Sequence, residues 1–320
     1  MPAESPFFNL SLLLTLRQTL AELEPSRPPV LKEIVSPSGA PARRLALLPG
    51  SFNPLTDAHA ALADAVLATG CCERLGYLLA SRTVNKERLE GASLADRLIC
   101  LSEFVGHRPA QGVVLVNRGL YVEQAELVHQ SLPVVEDLWF VVGHDKIVQI
   151  FDPRYYHDRD AALDRLFALS SFLVAPRDGA GPEVLQALLA EPENRRFAAK
   201  VKPLDLAEPF RTQSSSAVRG AAHLQRGLYG VPPVVVRFVE DTGAYRAPVQ
   251  APDGEQVDRY AWREKVIELC EAHGIRQLPN GVFATLVAET TRLDATGRVW
   301  RERLERGEIE ALVRAVGRAS

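Results

Sequence analysis

Two short stretches of the chain carry side chains able to manage phosphate charge. In "LPGSFNPLTDAHAAL", residues 48–62, an apolar strand-like run meets a Gly-Ser-Phe-Asn-Pro turn and then a helical pattern, with Thr56 and His59 three residues apart where the helix begins. Positions at that spacing lie on a similar face of a helix, and a hydroxyl and an imidazole can both donate hydrogen bonds. A helix N-terminus adds outward N–H groups and the positive end of a dipole. Together these groups could stabilise charge on a phosphate undergoing displacement, a reaction in which positioning and electrostatics dominate. A simpler use of the same residues exists, since Gly50, Asn53 and Pro54 are turn formers and Thr56 or Asp57 would cap a helix. The second stretch, "RTQSSSAVRG", residues 211–220, sets Ser214, Ser215 and Ser216 ahead of Arg219. Serine hydroxyls, helix-terminal amides and a guanidinium one turn on would form a second phosphate clamp facing the first.

Both stretches need a scaffold, and the hydrophobic pattern supplies one. From Leu45 onward, short apolar runs ("LALLP", "RLGYLLA", "GVVLVN", "DLWFVVG", "SSFLVAP", "AAKVKPL") alternate with segments of helical spacing such as "AHAALADAVLATG", "LADRLICLSEFVG" and "VEQAELVHQSL". That alternation predicts an α/β fold with a doubly wound parallel sheet. Sheets of this kind bind ligands at the carboxyl ends of their strands, near the point where strand order reverses. Residues 1–42 read as an N-terminal helix followed by a proline-rich linker, residues 43–247 as the α/β domain and residues 248–320 as a helical extension. Prolines end the first helix, and the dense mixed charge of the extension suits a solvated helix surface.

The chain has 320 residues, 47% of them hydrophobic and 24% charged, with a formal net charge of -3. Such a balance offers no long-range attraction to a phosphate backbone, so nucleic acid is not expected as a partner. No apolar run reaches a membrane-spanning length, and the first residues put acid and proline where a signal peptide would put basic charge. A cytoplasmic protein is the expectation. The four cysteines, Cys71, Cys72, Cys100 and Cys270, form neither a CxxC pair nor a disulfide framework and read as buried thiols.

The two stretches resemble the two signatures of the nucleotidylyltransferase superfamily, "GSFNP" with a (His or Thr)-x-Gly-His motif and Ile-Ser-Ser-Thr-x-x-Arg, and are most similar to those of the nicotinamide or nicotinate mononucleotide adenylyltransferases, in particular to divergent, fungal-type relatives. Weaker matches follow in the family's order. "VNKERLEGASLADRLICL" places Lys86 and Arg97 at matching positions. "FVVGHDKI" resembles the Gly-x-Asp element and "FLVAPRDG" the strand that ends in arginine, here Arg177. "VPPVVVRFVEDTGAY" resembles the closing helix.

The resemblance implies a Rossmann-like fold and transfer of AMP from ATP to a pyridine mononucleotide. It gives Thr56 and His59 to the transferring phosphate, Lys86 and Arg219 to the phosphates of ATP, and Asp145 to the adenosine ribose. Arg177, Ser214, Ser215 and Ser216 join the ATP-binding set, while Gly50, Ser51 and Phe52 allow close backbone approach. Mg²⁺ would be carried mainly on the ATP phosphates, with no metal cage from the protein. His144, beside Asp145, reads as exposed or as support behind the ligand contacts.

Some positions depart from the family pattern. Ala58 replaces the motif glycine, Thr56 the first histidine, and the pyridine-reading regions are "NRGLYVEQAELV" and "IFDPRYYHDRDAAL". Phe151, Tyr155 or Tyr156 are the aromatics there that could stack on a pyridine ring. Two alternatives stay open at this point: transfer to another small phosphate such as phosphopantetheine, and a nucleotide-binding regulatory protein without turnover. A homo-oligomer is compatible with the sequence.

Overall fold

A computed structural model describes residues 5–81, 91–176 and 181–319. The chain divides into two compact units, one of Leu23–Leu89 with Leu101–Ser215, the other of Met1–Glu22, Glu90–Cys100 and Ser216–Ser320.

The first of these holds a seven-stranded sheet. Its strands are β1 (Leu31–Val35), β2 (Arg44–Pro49), β3 (Arg74–Ala80), β4 (Gln111–Val116), β5 (Asp137–Gly143), β6 (Ser171–Ala175) and β7 (Val201–Pro203). They lie in the order β1-β4-β3-β2-β5-β6-β7. All neighbours run parallel except β1, which is antiparallel to β4. The six apolar runs read from the sequence are β2 to β7. Every residue of β4 and β6 is buried, as expected for parallel strands covered on both faces. Chain order runs outward from β2 in both directions, through β3 and β4 on one side and through β5, β6 and β7 on the other. The reversal point therefore lies between β2 and β5, where Leu47 pairs with Phe140.

β1 lies within the stretch read as linker. Prolines at 28, 29 and 37 flank it rather than interrupt it, and an edge strand tolerates that arrangement. The strand seats closely on β4: a Cβ added at Gly112 would stand 2.6 Å from the Val35 carbonyl oxygen, so only glycine admits the register shift between Glu33 and Val35. Asn117 anchors its start, accepting from Val30 N–H at 2.8 Å and donating to the Pro28 carbonyl at 2.8 Å.

The other unit is helical. Helix Leu10–Glu22 accompanies Pro233–Thr242, Arg259–Ala272, Val282–Thr290, Ala295–Glu305 and Ile309–Ala319. Arg263 and Asp96, both fully buried, form a two-pronged ion pair at 2.8 and 3.0 Å. Arg263 also donates to the Phe7 carbonyl at 2.7 Å, and the Tyr260 hydroxyl donates to Asp96 at 2.6 Å. The guanidinium thus has its donors satisfied, which a buried charge requires. Arg97, next in sequence, is 5% exposed, and burial lowers its pKa against the opposing pull of Tyr245, Tyr260 and Asp96.

Three of the cysteines are buried and Cys71 is half-buried, all of them free thiols. Burial pushes the Cys72 thiol up to about 11 and the Cys270 thiol up to about 12. No helix among the described residues is long and apolar enough to cross a membrane.

Candidate active site

The turn that leaves β2 is organised by two aromatic rings. Phe52 adopts φ 44°, a left-handed conformation that is costly for a bulky residue. Burial to 2% exposure holds it there, with edge contacts to Tyr77 at 5.4 Å and to the His59 ring at 5.1 Å. Gly50 makes this possible: a Cβ on it would meet the Phe52 ring at 2.7 Å. Gly50 N–H donates to the Leu78 carbonyl at 3.0 Å, extending the β2–β3 pairing. Gly50 therefore makes room for an aromatic support beneath His59, and its amide is already engaged. Ser51 is half-buried beside it, and the Asn53-Pro54 peptide is cis.

Helix Asp57–Ala68 begins where the apolar spacing placed it. Thr56 is its N-cap and is fully buried. Its N–H donates to His59 Nδ1 at 3.1 Å, and its Oγ1 lies 2.7 Å from the same nitrogen. A backbone N–H can only donate, so Nδ1 carries the lone pair and the ring proton sits on Nε2. Thr56 thus faces the imidazole rather than open space, and holds it in one orientation and one tautomer. The helix amides are likewise met by the protein: Ala58 N–H donates to Gln213 Oε1 at 3.1 Å, and His59 N–H to the Thr56 carbonyl at 3.0 Å. Burial raises the pKa of Asp57 in the same turn.

The second stretch arrives at this turn. Ser215 Oγ donates to the Pro54 carbonyl at 2.8 Å across 161 positions of sequence. With the Gln213–Ala58 bond, across 155 positions, it ties the two signatures together at the carboxyl end of β2. The Ser215 hydroxyl is thus a tether, with its proton committed to a carbonyl. Helix Ser215–His223 starts at this residue. On it Arg219 Nη2 donates to Ser216 Oγ at 3.2 Å, and Ser214, just before the helix, is half-buried.

Across the reversal point, β5 ends at Gly143 and helix His144–Phe151 begins, with Asp145 exposed in its first turn. A Cβ on Gly143 would stand 2.8 Å from Asp145 Oδ1. The Tyr121 phenol is pushed up by burial and further by the Asp145 charge. Its ring packs against Phe140 and Phe172. His144 Nε2 is buried without a hydrogen-bond partner among the described residues. Lys86 and Arg177 lie outside the described residues.

The aromatic expectation divides. Phe151 is 3% exposed and its ring stacks on Phe167 at 5.6 Å within a cluster that includes Phe197. It is a core residue with no face for a pyridine ring, a correction to its reading as a stacking candidate; its place in an i, i+3, i+4 apolar pattern with Ile147 and Ile150 is the signal that marks it as core. The Tyr156 hydroxyl donates to the Ile150 carbonyl at 2.7 Å. Tyr155 is 58% exposed. Gln213 carries no sequence signal of its own, since an amide has no phosphate chemistry; its hint is its place directly before the serines.

A doubly wound sheet with the first signature at its reversal point, tied to Gln213 and Ser215 of the second, resembles the nucleotidylyltransferase superfamily, a class of nucleotidyltransferases. The chain is similar to the nicotinate-nucleotide adenylyltransferases. A probable nicotinate-nucleotide adenylyltransferase of Synechococcus sp. (strain JA-2-3B'a(2-13)) is 27% identical over 216 residues, which is 64% of this chain and 98% of the relative. One from Syntrophotalea carbinolica is 26% identical over 221 residues, 64% of this chain and 98% of that protein. A solved structure of Plasmodium falciparum nicotinic acid mononucleotide adenylyltransferase complexed with NaAD gives a TM-score of 0.48 at 14% identity, covering 63% of this chain and 97% of that one. No family model matches the chain.

Proposed function

We propose that the chain transfers the adenylyl group of ATP to the 5′-phosphate of nicotinate mononucleotide or its amide. An oxygen of the acceptor phosphate attacks the α-phosphorus in line, the bond from that phosphorus to the bridging oxygen of the β-phosphate breaks, and pyrophosphate leaves with the electron pair. The products are the pyridine dinucleotide and pyrophosphate. No protein nucleophile is needed, so the side chains align the reactants and offset developing charge.

The observation that carries this reading is the pair of bonds from Gln213 and Ser215 to the turn holding His59. In it His59 offers Nε2–H to the transferring phosphate, held by Thr56 and backed by Phe52. Asp145 accepts from the ribose hydroxyls of ATP, as a carboxylate at the end of a strand beside the reversal point does. Lys86, Arg177 and Arg219 take the phosphates of ATP, with Ser214 and Ser216 in the same binding set and the Gly50–Ser51 backbone close to the ligands. Tyr155 is the remaining aromatic candidate for the pyridine ring.

Among the described residues no group of three His, Cys, Asp or Glu side chains could hold a metal ion. Magnesium is taken as part of the substrate, on the phosphates of ATP, as the resemblance implies, and no step is assigned to a protein-bound ion.

The test is incubation of the purified chain with magnesium ATP and, in separate reactions, nicotinate mononucleotide, nicotinamide mononucleotide and phosphopantetheine, with pyrophosphate and dinucleotide measured. Pyrophosphate with a pyridine mononucleotide supports the proposal. Release with phosphopantetheine alone, or none with any acceptor, overturns it.

A further inference from the structure

The helical unit contains a cleft of about 550 Å³, a volume in the range of small-molecule sites. Its charged lining is of one sign: Arg226, Arg246 and Arg259, with no carboxylate among the lining residues. Apolar side chains, among them Leu228, Val249 and Leu293, complete the walls. None of the three guanidiniums makes a hydrogen bond or ion pair with a described residue. That is unusual in a chain whose other arginines are so often paired, for example Arg292 with Asp294 and Arg298 with Glu302.

Arg226 and Arg246 follow the ends of helices Ser215–His223 and Pro233–Thr242, where carbonyl groups favour a cation. Arg259 has no such account. It is the first residue of helix Arg259–Ala272, at the end of the dipole that disfavours positive charge. Burial lowers its pKa, and Arg246 lowers it further while Asp241 opposes both. The neighbouring carboxylates are engaged elsewhere: Asp241 accepts from Ser5 Oγ at 2.6 Å, and Asp258 caps the helix through Ala261 N–H at 3.0 Å. Three solvent-facing guanidiniums without an ion-pair partner among the described residues, around an apolar-walled cleft, match an anion that carries several charges on an apolar body.

We infer that this cleft, lined by no residue of the His59 turn, binds a small organic phosphate bearing at least two negative charges. Arginine suits phosphate because its planar fork donates two parallel hydrogen bonds, and the apolar wall would cover the organic part. The inference does not depend on the proposed reaction.

Hydrogen exchange of the full chain with ADP, inorganic pyrophosphate and adenosine tests it, because exchange locates binding wherever it occurs. ADP should slow exchange in residues 222–228 and 243–259, pyrophosphate should do so more weakly, and adenosine should not. In an R226Q/R246Q/R259Q variant the ADP concentration needed for that protection should rise at least tenfold, as loss of charge-assisted bonds demands, and the single variant R226Q should fall between. Protection confined to residues 50–59 would overturn the inference, as would protection of 222–228 and 243–259 that persists unchanged in the triple variant. Equal protection by adenosine would overturn its charge requirement.

Discussion

The backbone N–H of Thr56 donates to Nδ1 of His59 at 3.1 Å, leaving Nε2 as the protonated nitrogen of the imidazole. Nitrogen NMR of the His59 ring should therefore show a lone-pair-bearing Nδ1 and a protonated Nε2 near neutral pH. In a His59→Ala variant turnover should fall roughly a hundred- to a thousandfold, the loss expected for one preorganised donor to a charged transition state. His59→Gln places an amide N–H near the position of Nε2 and should recover part of that loss. Steady-state pyrophosphate release checks both variants.

Thr56 should act through His59, which it contacts by both its N–H and its hydroxyl. Replacing it by valine keeps the β-branch but removes the Oγ1 contact at 2.7 Å. Turnover should drop roughly fivefold, in line with about 1 kcal/mol for one hydrogen bond, with KM for both substrates nearly unchanged. Thr56→Ser, which keeps the hydroxyl, should stay close to the parent. A change in KM alone would show that the hydroxyl contacts substrate instead.

Asp145 should act on binding. Asp145→Asn removes the charge that strengthens hydrogen bonds to ribose, and KM for ATP should rise roughly ten- to a hundredfold with little change in kcat. The parent should also discriminate against 2′-deoxy or 3′-deoxy ATP, and the variant should lose that preference.

Gly50→Ala tests the aromatic support. The added methyl would overlap the Phe52 ring, which is buried and held in a left-handed backbone conformation. Destabilisation of about 1–3 kcal/mol is expected from overpacking, read by urea denaturation. Turnover should fall as well, because the ring that moves is the one packed on His59.

In the helical unit, Asp96→Ala would take from the fully buried Arg263 the carboxylate that meets both its terminal nitrogens, leaving Glu264 as its acidic partner at 2.8 Å. A cost of up to about 3–5 kcal/mol follows from removing one partner of a buried ion pair. The double variant Asp96→Ala with Arg263→Met should recover most of it, since the buried charge is then gone. Thermal or denaturant melts of the three proteins decide.

The sheet was legible because its strands are buried on both faces and so appear as unbroken apolar runs such as "GVVLV" and "SFLVA". β1 was not, because its flanking prolines are also the mark of a linker and only pairing with β4 separates the two. Thr56, His59, Ser214 and Ser215 were found by residue type, but type does not give direction. Thr56 turns to His59 and Ser215 to Pro54, contacts set by tertiary packing. Phe151 was ambiguous for the same reason, since an aromatic that stacks on a ligand and one that stacks on Phe167 look alike in sequence.

The relatives align over nearly their whole length with 64% of this chain, so about a third of it has no counterpart in them. Asp96 and Arg263 lie 167 positions apart in the sequence, yet each is the other's charge partner in the dark. Removing the helix that carries Arg263 would strand an anion with no solvent to receive it, so that helix cannot be trimmed without a compensating change at position 96.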